Sequence, residues 1–291
     1  MRVTRFNYPL NASLLKKIDA LIDRCKTKTR KRDSLLLIDG PEGEGKTTFS
    51  IALGYYISEK SNRPFSEKNV FFNVDKMMDF AKNNEEKIII WDEPSLEAMS
   101  GDSRKAIVRD LVRLLMTARK KRHFFIINMT YFNRFNEYVV SERANGMIHL
   151  YTRKKTGQAR FVYIKEKFLT ALWYDWKIKK RKNFFKYCDK RTRDTFPAVL
   201  DEEYPYNVLS EFDNDYYEQR KDEAIAGIGE KEGMSKLHAK TLRLQHALYK
   251  VYKESGLSRD KFCELAGISQ QTVYEWKAIP TKYPQLGLIS S

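Results

Sequence analysis

The sequence predicts an α/β protein: a parallel sheet flanked by helices, with a small all-α domain at the C-terminal end. Three observations carry this. Short apolar runs alternate with stretches of helical periodicity between Ser34 and Ile164, the pattern of βαβ units. A glycine-rich loop stands between the first such run and the first such helix. From Met234 onward the spacing is helical, with stops at Gly256 and Gly267.

The elements follow in order. Asn11–Arg24 places Leu14, Leu15, Ile18, Leu21 and Ile22 on one helical face, and a basic stretch, Lys26–Arg32, follows it. Ser34–Asp39 is an unbroken apolar run that suits a buried strand. Lys46–Glu59 reads as a helix, Asn69–Asn73 as a strand, Asp75–Lys82 as a short helix and Lys87–Trp91 as a strand. Ser103–Arg122 is a long helix with Ile107, Leu111, Leu114, Leu115 and Ala118 facing inward. His123–Asn128, Gly146–Tyr151 and Arg160–Ile164 are the remaining strands, the last two joined through the turn Lys-Thr-Gly-Gln.

Length and composition bound the possibilities. A chain of 291 residues can bury one sizeable core and a smaller second unit. No run of eighteen apolar residues occurs, so no integral membrane segment is expected, and residues 1–10 lack the apolar centre of a secretory signal. Cys25, Cys188 and Cys263 have no closely spaced partner, which disfavours a disulfide framework or structural zinc and points to a reducing, cytoplasmic setting. The net charge of +16 favours a polyanionic partner, nucleic acid or an anionic membrane surface. The charge is segregated. Arg153–Arg193 has fifteen Lys and Arg against three Asp and Glu, with Trp176, Phe184, Phe185 and Tyr187 interleaved. Asp201–Glu232 has eleven Asp and Glu against three Lys and Arg, and reads as an acidic linker.

Gly40-Pro41-Glu42-Gly43-Glu44-Gly45-Lys46-Thr47 fits G-x-x-x-x-G-K-[ST] in full, with Thr48 after it, and sits between strand and helix as that motif requires. Glycines let backbone N–H groups converge on phosphate oxygens, and the following helix offers its positive end. Lys46 is expected on the β- and γ-phosphates of ATP and the Thr47 hydroxyl on Mg²⁺. Ile88-Ile89-Ile90-Trp91 then delivers Asp92 and Glu93 to the C-terminal end of a buried strand, where open α/β sheets bind ligands. Asp92 would hold the Mg²⁺ shell, and Glu93 would act as general base on water.

This order resembles the P-loop ATPases that carry an additional strand and a catalytic glutamate. The resemblance implies that the phosphate-loop strand lies beside the fourth strand, with the Asp-Glu strand beyond it. It also implies that Asn128, at the end of the fourth strand, senses the γ-phosphate. The segment from Ser141 to Leu150 is similar to FtsK-HerA type DNA motors and to the Zot-like ATPases of phages and plasmids. That match makes Arg143 the candidate cation for the γ-phosphate, acting across a subunit boundary in a homo-oligomer. Arg119, Arg122 and Arg134 compete for the role, the first two having a simpler place at a helix C-terminus.

Met234–Ser255 reads as one helix with Leu237, Thr241, Leu244, Leu248, Val251 and Tyr252 on its packing face. Ser258–Lys277 resembles a helix-turn-helix. Phe262, Leu265, Ala266, Ile268, Val273 and Trp276 would pack inward, with Cys263 as a small core residue, Gly267 in the turn and Ser269 as the cap. Gln270, Gln271, Tyr274 and Lys277 would then face double-stranded DNA, and Lys179, Lys180, Arg181 and Lys182 would touch its phosphates. The expected domains are 1–33 (helix and basic linker), 34–200 (P-loop domain with basic extension), 201–233 (acidic linker) and 234–291 (helix-turn-helix). The expected function is a Mg²⁺-dependent ATPase that acts on DNA for a mobile element, phage or plasmid. The alternatives are an ATP-switched DNA-binding regulator and a membrane-associated phage morphogenesis ATPase.

Overall fold

The computed structural model describes residues 2–3, 9–26, 32–92, 101–196, 212–231 and 236–282. The chain divides into two compact units, residues 1–226 and 227–291.

The first unit is built on a seven-stranded sheet. β1 (Arg2–Val3), paired antiparallel with β2 (Pro9–Leu10), precedes helix α1 (Ala12–Lys26). Then come β3 (Ser34–Asp39), α2 (Lys46–Ser61), β4 (Val70–Phe71), α3 (Val74–Asn83), β5 (Ile88–Trp91), α4 (Gly101–Thr117) and β6 (Phe124–Met129). β7 (Gly146–Thr152), β8 (Ala159–Lys165), α5 (Glu166–Lys179), α6 (Phe184–Tyr187), β9 (Asp194–Thr195) and α7 (Asn214–Lys231) follow. The sheet order is β4-β5-β6-β3-β7-β8-β9. From β4 to β7 all neighbours are parallel, while β8 and β9 close the far edge antiparallel. The phosphate-loop strand β3 thus lies beside β6, with β5 beyond it, the order the resemblance implied.

The central strands read as continuous apolar runs because both faces are covered. All six residues of β3 and of β6, and all four of β5, are buried. One face packs against α1 and α2: Leu14, Ile18 and Ile22 join Leu36, Ile38, Phe49 and Leu53 in one cluster. The other packs against α3, α4 and α5 through Met77, Leu111, Leu115, Leu169 and Trp173. The domain boundaries therefore differ from expectation. Helix α1 belongs to the core of the sheet and is no separate segment. Asn11 fixes its start: the side-chain carbonyl accepts from the Ser13 and Leu14 amides, while the amide group donates to Asp194 on β9.

The acidic stretch is also corrected. Its second half is helix α7; Tyr217 is buried against Phe72, and Phe212 is buried against Tyr217. Composition hid this, because two aromatic anchors suffice to seat a helix whose remaining face is charged.

The second unit comprises the end of α7, α8 (Lys236–Glu254), α9 (Arg259–Ala266), α10 (Gln270–Lys277) and α11 (Ile279–Lys282). Its core is Leu242, Tyr249, Cys263, Val273, Trp276 and Ile279. The packing face of α8 is displaced from the expected one. Leu242, His246 and Tyr249 are buried, while Leu244, Leu248 and Val251 are exposed. Leu265 is exposed as well. Among the described residues no helix is long and apolar enough to cross a membrane.

Candidate functional site

The site forms where the parallel strands end. β3 stops at Asp39 and the chain turns into the loop 40–45. Gly40 crosses β7 so closely that a Cβ would lie 2.7 Å from the Leu150 carbonyl oxygen. Gly43 and Gly45 have φ of 77° and 75°, the left-handed region that glycine enters without a side-chain clash. Gly45 is also the residue preceding α2, so the free amides of that 16-residue helix's first turn stand at the end of the loop.

Buried Asp92, Asn128 and Ser50 meet half-buried Thr47 beneath the loop. The Thr47 hydroxyl donates to Asp92 Oδ2 at 2.7 Å. Asn128 Nδ2 donates to Asp92 Oδ1 at 3.1 Å and to Ser50 Oγ at 3.0 Å. The Lys46 ammonium curls back over the loop, donating to the Gly40 and Pro41 carbonyls at 2.8 and 2.7 Å. Burial pushes its pKa down, opposed by the nearby carboxylates of Asp92, Asp39, Glu42 and Glu44. Glu44 accepts from the Thr152 hydroxyl at 2.5 Å, and Thr48 is half-buried on the first turn of α2.

The donor set fits a magnesium-bound nucleotide. A hydroxyl and a carboxylate 2.7 Å apart are hard oxygen ligands of the kind Mg²⁺ takes. Asn128 Oδ1 is buried with no hydrogen-bond partner, so the site retains polar capacity. Amides and an ammonium lie on the phosphate side. Gly40, Glu42, Gly43, Glu44, Gly45, Lys46, Thr47, Thr48, Asp92 and Asn128 are thereby gathered in one place. Glu93 lies outside the described residues.

The structure corrects the reading of Arg143. It closes a π-helical turn, Tyr138–Arg143, just before β7, at the opposite end of the sheet from the loop. Its side chain is 3% exposed, pairs with buried Asp33 and donates Nε to the Leu115 carbonyl at 3.2 Å. A cation enclosed in this way reaches neither this site nor a neighbour's. Arg119, beside it, lines the same cavity of about 280 Å³. Arg122 pairs with Glu86 and precedes β6, also at that far end.

Two features of the site were not anticipated. Asp39 accepts from the Phe132 amide at 2.6 Å and pairs with His149 at 2.7 Å, whose ring stacks on Phe184. Tyr217, from α7, donates its hydroxyl to Asp92 Oδ2 at 2.9 Å. An aromatic pair in an acidic stretch gives no signal for that contact.

The basic residues after α5 lie near the loop end of the sheet, because Lys182 sits 4.0 Å over the ring of Tyr131, just after β6. Lys180 and Arg181 are exposed, although Lys180 also lies over Trp176. Lys179 is paired with Asp175 at 3.0 Å, and the Tyr187 hydroxyl and Lys179 hold that carboxyl down at about 2. In the second unit, Ser258 and Ser269 cap α9 and α10, and Gly267 turns between them at φ 65°. Gln270, Gln271, Tyr274 and Lys277 are all exposed on α10. Gln270 is tied to Asp260, and Tyr274 to Arg259.

No family model matches the chain, and no curated protein matches it. Solved structures do. A KaiC-like protein, PH0186, from Pyrococcus horikoshii OT3 is 18% identical, over 47% of this chain and 79% of that one, with a TM-score of 0.33. PCH-2 of C. elegans is 19% identical over 46% of this chain and 41% of its own, also with a TM-score of 0.33. The N-terminal domain of zonular occludens toxin from Neisseria meningitidis is 13% identical over 61% of this chain and 97% of its own, with a TM-score of 0.36.

Proposed function

We propose that the chain is a Mg²⁺-dependent ATPase acting on double-stranded DNA, of the kind a mobile element, phage or plasmid uses to move, load or remodel it. The bond between Thr47 and Asp92 under the glycine loop carries this reading. Those residue types at that distance serve a metal-bound triphosphate.

Bound Mg²⁺ would neutralise charge that develops on the phosphates. The protein's own groups do the rest. The loop amides and the Lys46 ammonium bind the β- and γ-phosphates. Thr47 and Asp92 would hold the cation. Asn128, anchored by Ser50, keeps Asp92 oriented and stands where the γ-phosphate side of the site would be. Glu93 takes the proton of the attacking water as its oxygen bonds to the γ-phosphorus and the bond to ADP breaks.

The DNA part rests on charge. Lys180, Arg181 and Lys182 are exposed near the loop end of the sheet, and Gln271 and Lys277 are exposed on α10. A homo-oligomer belongs to the reading, and its completing cation is not Arg143. The Tyr217 contact favours a second form of it, in which ATP sets the state of a DNA-bound regulator with slow turnover.

The test is ATP turnover measured with and without double- and single-stranded DNA at two salt concentrations. Turnover should need Mg²⁺, rise with duplex DNA, and vanish in Glu93→Gln while nucleotide binding persists. Wild-type turnover in Glu93→Gln would remove the base assignment, and indifference to DNA would remove the substrate.

A further inference from the structure

The Asp92 carboxylate is already heavily used. Its Oδ1 accepts from Asn128, and its Oδ2 accepts from both Thr47 at 2.7 Å and Tyr217 at 2.9 Å. A carboxylate oxygen has two lone-pair sites, so Oδ2 is full. It is also the oxygen on the Thr47 side, against which a cation held by the Thr47 hydroxyl would sit. Thr47 would ligate that cation through its hydroxyl oxygen and can still donate its proton to Oδ2. Tyr217 is the partner left to move.

The tyrosine is built into this position. Its ring is 5% exposed, with Phe72 at 5.1 Å and Phe212 at 5.7 Å between centroids. Burial and the Asp92 carboxylate both raise its pKa, so it stays a donor. One turn later Arg220 donates to the Glu67 carbonyl at 3.2 Å and lies over Phe71. Helix α7 is thus docked by aromatic packing and by Arg220, and the Tyr217 hydroxyl reaches Asp92 Oδ2, the oxygen on the Thr47 side.

We propose that Tyr217 is a positioning residue that competes with Mg²⁺ for Asp92 Oδ2, so that Mg²⁺-nucleotide binding breaks its bond and loosens the docking of α7. The inference rests on the proposed nucleotide site. It adds a moving part, the helix α7 itself. The differential affinity that shifts α7 is the strength of one hydrogen bond to a charged group.

Tyr217→Phe keeps the ring between Phe72 and Phe212 and removes only the hydroxyl. Binding of N-methylanthraniloyl-ATP is followed by fluorescence during Mg²⁺ titration, with Lys46→Ala as the control. The expected result is a roughly tenfold lower half-saturating Mg²⁺ in Tyr217→Phe, about 1.4 kcal/mol, with the affinity in EDTA unchanged. Independently, amide exchange over residues 212–226 of the wild type should speed up with Mg²⁺-ATP and not with ATP in EDTA. Equal Mg²⁺ dependence in the two proteins, or unchanged exchange, overturns the competition and leaves the nucleotide site standing. A wild type that binds no more nucleotide than Lys46→Ala overturns the site, and the competition with it.

Discussion

Arg143→Ala removes one half of a buried ion pair. Asp33 is 2% exposed and would be left as a buried carboxylate without its paired cation, while the Leu115 carbonyl would lose its donor. Breaking a buried pair from one side costs about 3–5 kcal/mol. Arg24, Arg32 and Arg119 line the adjoining cavity and can partly answer the charge, so the low end of that range applies. For a unit of this size each kcal/mol moves the melting midpoint about 2–4 °C, so a fall of roughly 6–12 °C is expected. Replacing both partners, Asp33→Leu with Arg143→Met, should recover most of it, because a well-packed apolar pair is often neutral or stabilising where an ion pair stood. Denaturant midpoints of the three variants give the cycle, and ATP turnover is measured on each below its midpoint. Wild-type stability in Arg143→Ala together with lost turnover would refute the structural role and return this arginine to the phosphate.

Two further expectations concern pH and salt. His123 is fully buried, its Nε2 donating to the Ala81 carbonyl and its Nδ1 accepting from the Lys87 amide, and burial lowers its pKa, so the fold holds it neutral. Its contribution is complete above the ordinary imidazole pKa of about 6.5 and is lost as pH falls below it, by up to about 1.4 kcal/mol per pH unit; urea midpoints between pH 7.5 and 5 should fall more steeply in the wild type than in His123→Gln, and equal slopes would contradict this. Reversing Lys180, Arg181 and Lys182 to Glu should weaken binding to all duplex DNA and reduce the slope of log affinity against log salt by up to about 2.7 if each meets one phosphate. Gln271→Ala should leave that slope and change sequence preference by about 1–3 kcal/mol; selection from a random DNA pool at two salt concentrations separates the two, and unchanged preference would mean that α10 does not read bases.

The sheet was legible because its strands are long apolar runs punctuated by glycine, asparagine and charge. Ser34–Asp39 was found to the residue, and the phosphate loop follows from the glycines and Lys46 that its chemistry demands. What sequence missed is of three kinds. β9 is two residues, Asp194 and Thr195, too short to carry a period. Helices α5 and α7 were hidden by their charge, although Leu169, Leu172 and Trp173 in one and Tyr217 in the other are buried. α8 offers two apolar stripes, and periodicity alone could not tell Leu242, His246 and Tyr249, which pack, from Leu244, Leu248 and Val251, which do not. The Arg143 reading erred for a reason visible in the topology. A residue placed before a parallel strand sits at the N-terminal end of the sheet, away from the end where ligands bind.

The nucleotide site itself is tested most directly by equilibrium binding of Mg²⁺-ATP to the wild type, Lys46→Ala and Asp92→Asn. Lys46 and the loop amides should dominate the phosphates, so Lys46→Ala should lose binding with and without Mg²⁺. Asp92 serves the cation, so Asp92→Asn should lose only the part of the affinity that Mg²⁺ adds. Binding that is the same in all three proteins would contradict the site at its root.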